Sequence, residues 1–241
     1  MNDVRVHTFW TGPQSPIIRL CLESIARNCP GSECWNLEKW RAVYDGRLGP
    51  WQAIARQRPN VQSDILRAWL LATQGGIWID ADYIAFRDLR PLWRHIENGA
   101  DLVTYRVPAS KVCTALMVAR PESQIILAQC QQIADRLARR KHLSAMAIGP
   151  RSFIRAIRAY PAAGVTWVPF RLIHPRPWWT WGHHRRVLLS HQPYRFHPRA
   201  WGFMLTHAAI ARLKVGSTRE EILSDASPIG QAFRKAFSVE S

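Results

Sequence analysis

The run from Ser63 to Asp82 constrains this chain more than any other stretch. Ile65, Leu66, Trp69 and Leu70 recur at three- and four-residue spacing, which predicts a helix with one buried face, and Ser63 stands where its N-cap would fall. Gln74-Gly75-Gly76 ends that helix, because glycine takes the positive φ that closes a helix C-terminus. Ile77-Trp78-Ile79 follows as a short buried strand and runs directly into Asp80-Ala81-Asp82.

The opening of the chain adds a second unit. Val4, Val6 and Thr8 alternate with Arg5, His7 and Phe9, the period of a strand, and Thr11-Gly12-Pro13 ends it. Ser15 then caps a helix with Pro16 at its first position and Ile17, Ile18, Cys21, Leu22 and Ile25 inward, stopped by Asn28 and Pro30-Gly31. A strand-helix opening favours an α/β fold. Further along, the pattern predicts a short strand over Arg41 to Tyr44, strands over Leu102 to Val107 and Val112 to Ala119, and a helix over Glu122 to Arg140. A helix over Gly149 to Ala159 and a strand over Val165 to Ile173 complete it. Trp35, Trp40 and Trp51 lie scattered among turn residues, and HPRPWWTWGHHRR from His174 makes a poor core and a plausible rim or lid.

At 241 residues, 47% of them hydrophobic, the chain can bury one sizeable core, and no repeat or linker divides it. Five cysteines without a CxxC pair argue against a disulfide framework or zinc ribbon and for a reducing compartment. No apolar run reaches the roughly 18 residues of a membrane span, and the N-terminus lacks a signal-peptide pattern, so the expected location is cytoplasmic, with peripheral contact at an anionic inner membrane face. The net charge is +16, and 28 of the 33 basic residues are Arg, whose planar fork matches phosphate. Polyanions, nucleoside diphosphates and anionic headgroups all fit that charge.

Asp80 and Asp82 stand two apart at the end of a strand, so both carboxylates can point to one side at the carboxyl edge, where open α/β sheets bind ligands. Two hard oxygen ligands suit Mg²⁺ or Mn²⁺ and, through the cation, a diphosphate. An acidic pair after a strand is equally often a turn or cap. Asp64 and Arg67 share a helical face, for which an ordinary ion pair is the plain alternative, and spacing alone leaves open whether they reach Asp80.

SDILRAWLLATQGGIWIDADYIAFRDL, Ser63 to Leu89, resembles the central signature of the DXD sugar-transferases of glycosyltransferase family 32. Those are related to fungal Golgi mannosyltransferases and to bacterial capsule and lipopolysaccharide transferases. HTFWTGPQSP (His7 to Pro16), IGPRSFIRAI (Ile148 to Ile157), THAAIARL (Thr206 to Leu213) and SPIGQAFRKAF (Ser227 to Phe237) resemble further pieces of that family, in family order.

The resemblance implies a single GT-A, Rossmann-like domain over residues 1–241, with the donor core in 1–120 and the acceptor side and closing lid in 121–241. It also implies hexose transfer, with retention, from a UDP- or GDP-linked sugar to a glycan or glycolipid hydroxyl, with Mn²⁺ or Mg²⁺. Trp10 then matches the aromatic against the nucleotide base, Asp64 the acid on sugar or ribose hydroxyls, and Arg67 the base on sugar or diphosphate. Asp80 and Asp82 match the DXD pair, and His207 the late metal-site His, with His197 as a nearby competitor. Trp78 stands where the family more often has Tyr, and Ala208 and Ala209 replace the usual aromatics after the late His.

Two rivals come from other classes. A basic, Trp-rich nucleic-acid binder would use the Arg and Trp interleaved from Arg171 to Arg199, but the charge reads as spread along the chain and the Asp80–Asp82 carboxylates would repel a phosphate backbone, so no nucleic acid is expected. A DxD phosphotransferase would need its motif near the N-terminus, not at residue 80 followed by Tyr83-Ile84.

Overall fold

A computed structural model describes residues 4–107, 111–173, 194–205 and 216–238. The elements up to the middle of the chain are β1 (Val6–Phe9), α1 (Pro16–Asn28), β2 (Glu33–Trp35), α2 (Leu37–Val43), α3 (Trp51–Ala55), α4 (Pro59–Thr73), β3 (Gly76–Ile79), β4 (Tyr83–Ala85), a 3₁₀ turn (Arg90–Trp93) and α5 (Arg94–Glu97). There follow β5 (Leu102–Val107), β6 (Lys111–Ala119), α6 (Gln124–Arg139), α7 (Ala145–Ile148), α8 (Pro150–Ala159), β7 (Val165–Pro169), a second 3₁₀ turn (Phe170–Leu172), β8 (Gly202–Met204), α9 (Arg219–Ser224) and α10 (Pro228–Phe237). They form two compact units, each threaded by the chain three times. The first takes the described parts of Met1–Thr11, Glu33–Asp80 and Arg90–Val168, and the second those of Gly12–Ser32, Ala81–Leu89 and Pro169–Ser241.

The first unit holds a six-stranded mixed sheet in the order β2-β1-β3-β6-β5-β7. β1 pairs parallel with β2 and β3, while β6 runs antiparallel to β3 and β5. All four residues of β1 and of β3 are buried, so the alternation read in β1 does not produce a wet face; it is an interior strand covered on both sides. α4 begins at Pro59, four residues before Ser63, because proline at the first helical position gives up an N–H that has no helical partner anyway. Ser63 therefore lies inside the helix instead of capping it.

The expected strand over Arg41 to Tyr44 is instead the end of helix α2, capped by Asn36, whose Oδ1 accepts from Lys39 N at 2.8 Å. The scattered tryptophans explain why this stretch holds together. Trp40 meets Trp51 edge-on at 5.3 Å between ring centroids and leans on Trp69 of α4 at 6.2 Å, while Trp69 Nε1 donates to Asp45 Oδ1 at 2.8 Å. Aromatic pairs of this geometry contribute about 0.5–1.5 kcal/mol each beyond buried area, so the region is fixed by rings more than by regular backbone. The late strand stops at Pro169, and the second 3₁₀ turn takes up the residues that follow.

In the second unit β4 and β8 pair antiparallel, and their Ile84 and Phe203 share a core with Ile17 and Leu20 of α1, Ile222 of α9 and Ile229 and Phe233 of α10. Asn28, at the end of α1 as the sequence predicts, joins three elements: its Nδ2 donates to Ala85 O at 3.0 Å and Ala236 O at 3.1 Å. Among the described residues no helix is long and apolar enough to cross a membrane.

His7 shows how tightly β1 and β3 approach. Its Nδ1 accepts from Trp35 Nε1 and its Nε2 donates to Gly75 O, both at 3.2 Å, which fixes the neutral tautomer. Gly76 must be glycine there: its φ is +97°, and a Cβ would fall 2.6 Å from Arg5 O. Burial pushes the His7 imidazole down to about 4. The unfolded chain, with an ordinary value near 6.5, binds the extra proton first, so stability is present above about pH 6.5 and is lost as pH falls toward 4. Urea denaturation of the native protein and a His7→Gln variant at pH 7.5 and 4.5 should show the native protein losing about 2–3 kcal/mol more than the variant. Equal losses would remove His7 as a source of acid sensitivity.

Candidate active site

α4, the Gly75-Gly76 turn and β3 form an antiparallel helix-strand pair, and this brings Asp64, Arg67 and Asp80 together. A helix rises about 1.5 Å per residue and a strand about 3.3 Å, so the few residues of β3 run back past two turns of α4. Asp80 consequently finishes beside Arg67, whose Nη2 donates to Asp80 Oδ1 at 3.0 Å. On the other side of the guanidinium, Nη1 stands 3.0 Å from Asp64 Oδ1 without being aimed along a hydrogen bond. One cation thus bridges two carboxylates.

The three groups differ in exposure. Arg67 is 3% and Asp64 7% exposed, whereas the Asp80 side chain keeps 31% of its surface open. Arg67 therefore lies behind Asp80 and fixes it in place. Trp78 does the same from the strand: its Nε1 donates to Asp80 Oδ1 at 2.8 Å, and the Arg67 guanidinium lies 5.1 Å from its ring centroid. Two donors on Oδ1 leave Oδ2 as the oxygen without a hydrogen-bond partner among the described residues. The backbone is pinned as well, with Asp80 N donating to Ala115 O at 2.9 Å across to β6.

Asp64 is held differently. Burial raises its carboxyl to about 7 against the pull of Arg67, and Asp80 pushes it the same way. It can therefore hold a proton close to neutral pH. Its carboxylate packs on Gly149, the N-cap of α8, so closely that a Cβ at Gly149 would lie 2.8 Å from Oδ2 and 2.9 Å from Oδ1. The Gly-Pro helix start noted in the sequence is thus the seat of Asp64.

Trp10 follows β1 at the same carboxyl edge of the sheet, since β1 and β3 are parallel with His7 level with Trp78; it is half-buried and its N donates to Trp35 O at 3.0 Å. Asp82 belongs to the second unit, where its carbonyl accepts from Leu205 N at 3.0 Å. His197 also lies there, its Nδ1 accepting from Arg199 N at 3.1 Å. His207 falls outside the described residues, as does the Trp178–Trp181 segment. Among the described residues no group of three or more His, Cys, Asp or Glu is arranged to hold a metal ion. Sequence reasoning did not assign Trp78 or Gly149 to the site, although the two-residue spacing of Trp78 and Asp80 already put them on one face of the strand.

No protein-family model and no curated protein matches the sequence. Solved structures do match in fold. The apo form of the glycosyltransferase GlyE of Streptococcus pneumoniae TIGR4 aligns over 98% of this chain with a TM-score of 0.55 and 9% identity, and the chain spans 60% of GlyE's length. Mouse xyloside xylosyltransferase 1 in its apo form aligns over 86% of this chain and 98% of its own, with a TM-score of 0.50 and 13% identity. The fold is the GT-A glycosyltransferase fold.

The packing of Asp64 on Gly149 can be tested by a double-mutant cycle. Gly149→Ala should destabilise the native protein by about 1–3 kcal/mol in urea melts, and by less in an Asp64→Ala background, where the two close contacts with the carboxylate are gone. The same cost in both backgrounds would show that the two residues do not constrain each other.

Proposed function

We propose that this chain is a glycosyltransferase of the family 32-like DXD kind, moving a hexose from a UDP- or GDP-linked sugar to a hydroxyl of a glycan or glycolipid, with retention of configuration, in capsule or lipopolysaccharide assembly. The observation that carries this reading is the meeting of Asp64, Arg67 and Asp80 at the carboxyl edge of a GT-A sheet. The names of GlyE and the mouse xylosyltransferase point the same way.

Each residue then has a task. Asp80, with Oδ1 locked by Arg67 and Trp78, turns its other oxygen toward the donor ribose or a cation. Arg67 offsets the negative charge gathered where the diphosphate sits, and Trp10 lies against the base. Asp64, titrating near pH 7, can donate as well as accept a hydrogen bond to a sugar hydroxyl. Retention by front-face attack of the acceptor hydroxyl asks for no enzyme nucleophile. The donor set suits a hard divalent ion, because Mg²⁺ or Mn²⁺ bound with a diphosphate takes only one or two carboxylates and fills its remaining positions with phosphate and water. Asp82 and Asp80 would hold it, with His207 as the late ligand and His197 the alternative. When bound, the ion supplies charge neutralisation for the departing nucleoside diphosphate.

A thermal-shift panel of UDP- and GDP-sugars with and without Mn²⁺ tests this. A donor near a hundred times its Kd should raise the Tm by about 5 °C or more in the presence of Mn²⁺. Asp82→Ala should fold normally and lose both the metal-dependent shift and sugar transfer. If no nucleotide sugar shifts the melting temperature under either condition, the transferase reading fails; full activity in Asp82→Ala would remove the metal assignment alone.

A further inference from the structure

The positive charge is not spread along the chain. Of the 33 Lys and Arg, 16 lie between Arg136 and Arg219, and none of the 17 Asp and Glu does. That stretch alone accounts for the net +16, and the remainder is balanced at 17 against 17. Within the first unit, the described start of this acid-free stretch is the end of α6, α7 and α8.

The three helices collect their arginines. On α8, Arg151, Arg155 and Arg158 fall at helical spacing and are exposed, opposite the buried Ser152, Phe153 and Ala156. At the end of α6, Arg139, Arg140 and Lys141 are exposed too. Arg136 links the groups: its Nη1 donates to Ala147 O of α7 at 2.8 Å. Burial lowers its affinity for its own proton, and Arg155, Arg140 and Arg151 add repulsion, so the four guanidinium groups sit within electrostatic reach of one another. The nearest acid in sequence, Asp135, already accepts from Gln131 Nε2 at 3.0 Å. Like charges gathered with no intervening acid repel each other and oppose folding, and an anionic partner relieves that repulsion.

Met146, on α7 next to Ala147, whose carbonyl Arg136 holds, is 48% exposed. Tyr160, which closes α8 two residues after Arg158, is 40% exposed as well, and an exposed thioether together with a tyrosine beside arginines matches the headgroup boundary of a bilayer, where one end of a side chain is apolar and the other wet. From this we infer that the α6–α8 face of the first unit docks on an anionic lipid surface, with Arg151, Arg155 and Arg158 against phosphate headgroups and Met146 entering the boundary. Nothing in this requires sugar transfer, and it stands or falls separately from the donor reading.

Co-sedimentation of the whole chain with phosphatidylcholine vesicles, with and without about 30 mol % phosphatidylglycerol, tests it. The native protein should bind the anionic vesicles, release them as salt rises, and ignore the neutral ones. R151E/R155E/R158E should weaken binding about a hundredfold or more, at about fivefold per basic residue removed, with a melting temperature no lower than that of the native protein. R151Q/R155Q/R158Q serves if the reversal melts early. R41E/R56E/R94E makes the same change in net charge on other exposed arginines of the first unit and should retain most binding. Equal loss in the two sets would reduce the effect to net charge and overturn the assignment. Binding to neutral vesicles as tightly as to anionic ones would overturn it too. So would a DNA duplex that displaces the vesicles and needs the same three arginines, which would make the face a nucleic-acid surface.

Discussion

One buried guanidinium organises the carboxyl edge of this sheet. Arg67 lies between Asp64 and Asp80, and removing it would leave two carboxylates close together with no countercharge, a loss of about 3–5 kcal/mol for a buried pair. The arrangement does not close electrically with both acids ionised, since one cation faces two anions. Burial offsets this by holding the Asp64 carboxyl up at about 7, so that near neutrality Asp64 carries less than a full negative charge. The more exposed acid, Asp80, is left with a fixed direction and one uncommitted oxygen. Its orientation is thus set by neighbours more buried than itself, Arg67 and Trp78.

The backbone enforces that geometry through a short turn. Gly75 and Gly76 both hold positive φ, which lets α4 reverse into β3 within two residues and lets β3 lie close on β1. A longer connection would free the register between helix and strand, and Asp80 would no longer be bound to meet Arg67. The same closeness buries His7 with its tautomer fixed by Trp35 and Gly75. A strand pairing and an ionic cluster at opposite ends of β3 thus depend on the same two glycines.

Much of this was legible in the residues. The helix, glycine pair, strand and acids from Ile65 to Asp82 stand out because period, stop signal and burial agree there. What was lost was the start of α4, where Pro59 outweighs Ser63, and the helix over Leu37–Val43, whose few residues carry no clear period. The tryptophan cluster around Trp40 was invisible for a physical reason: its stability comes from ring contacts between α2, α3 and α4, and no local pattern encodes them. The meeting of Asp64, Arg67 and Asp80 was readable in principle. Helix and strand rise at different rates per residue, so a short strand returning from a tight turn overtakes a longer stretch of helix. Gly149 was not readable as a site residue, because its requirement is set by a carboxylate 85 positions earlier in the chain.

The charge asymmetry and the acidic cluster meet on one element. α8 presents its N-cap glycine to Asp64 and its outer face, through Arg151, Arg155 and Arg158, to solvent. Its buried side, Phe153 and Ala156, is locked into the core that also contains Leu66 and Trp69 of α4. A rigid helix cannot shift one of these faces without the other.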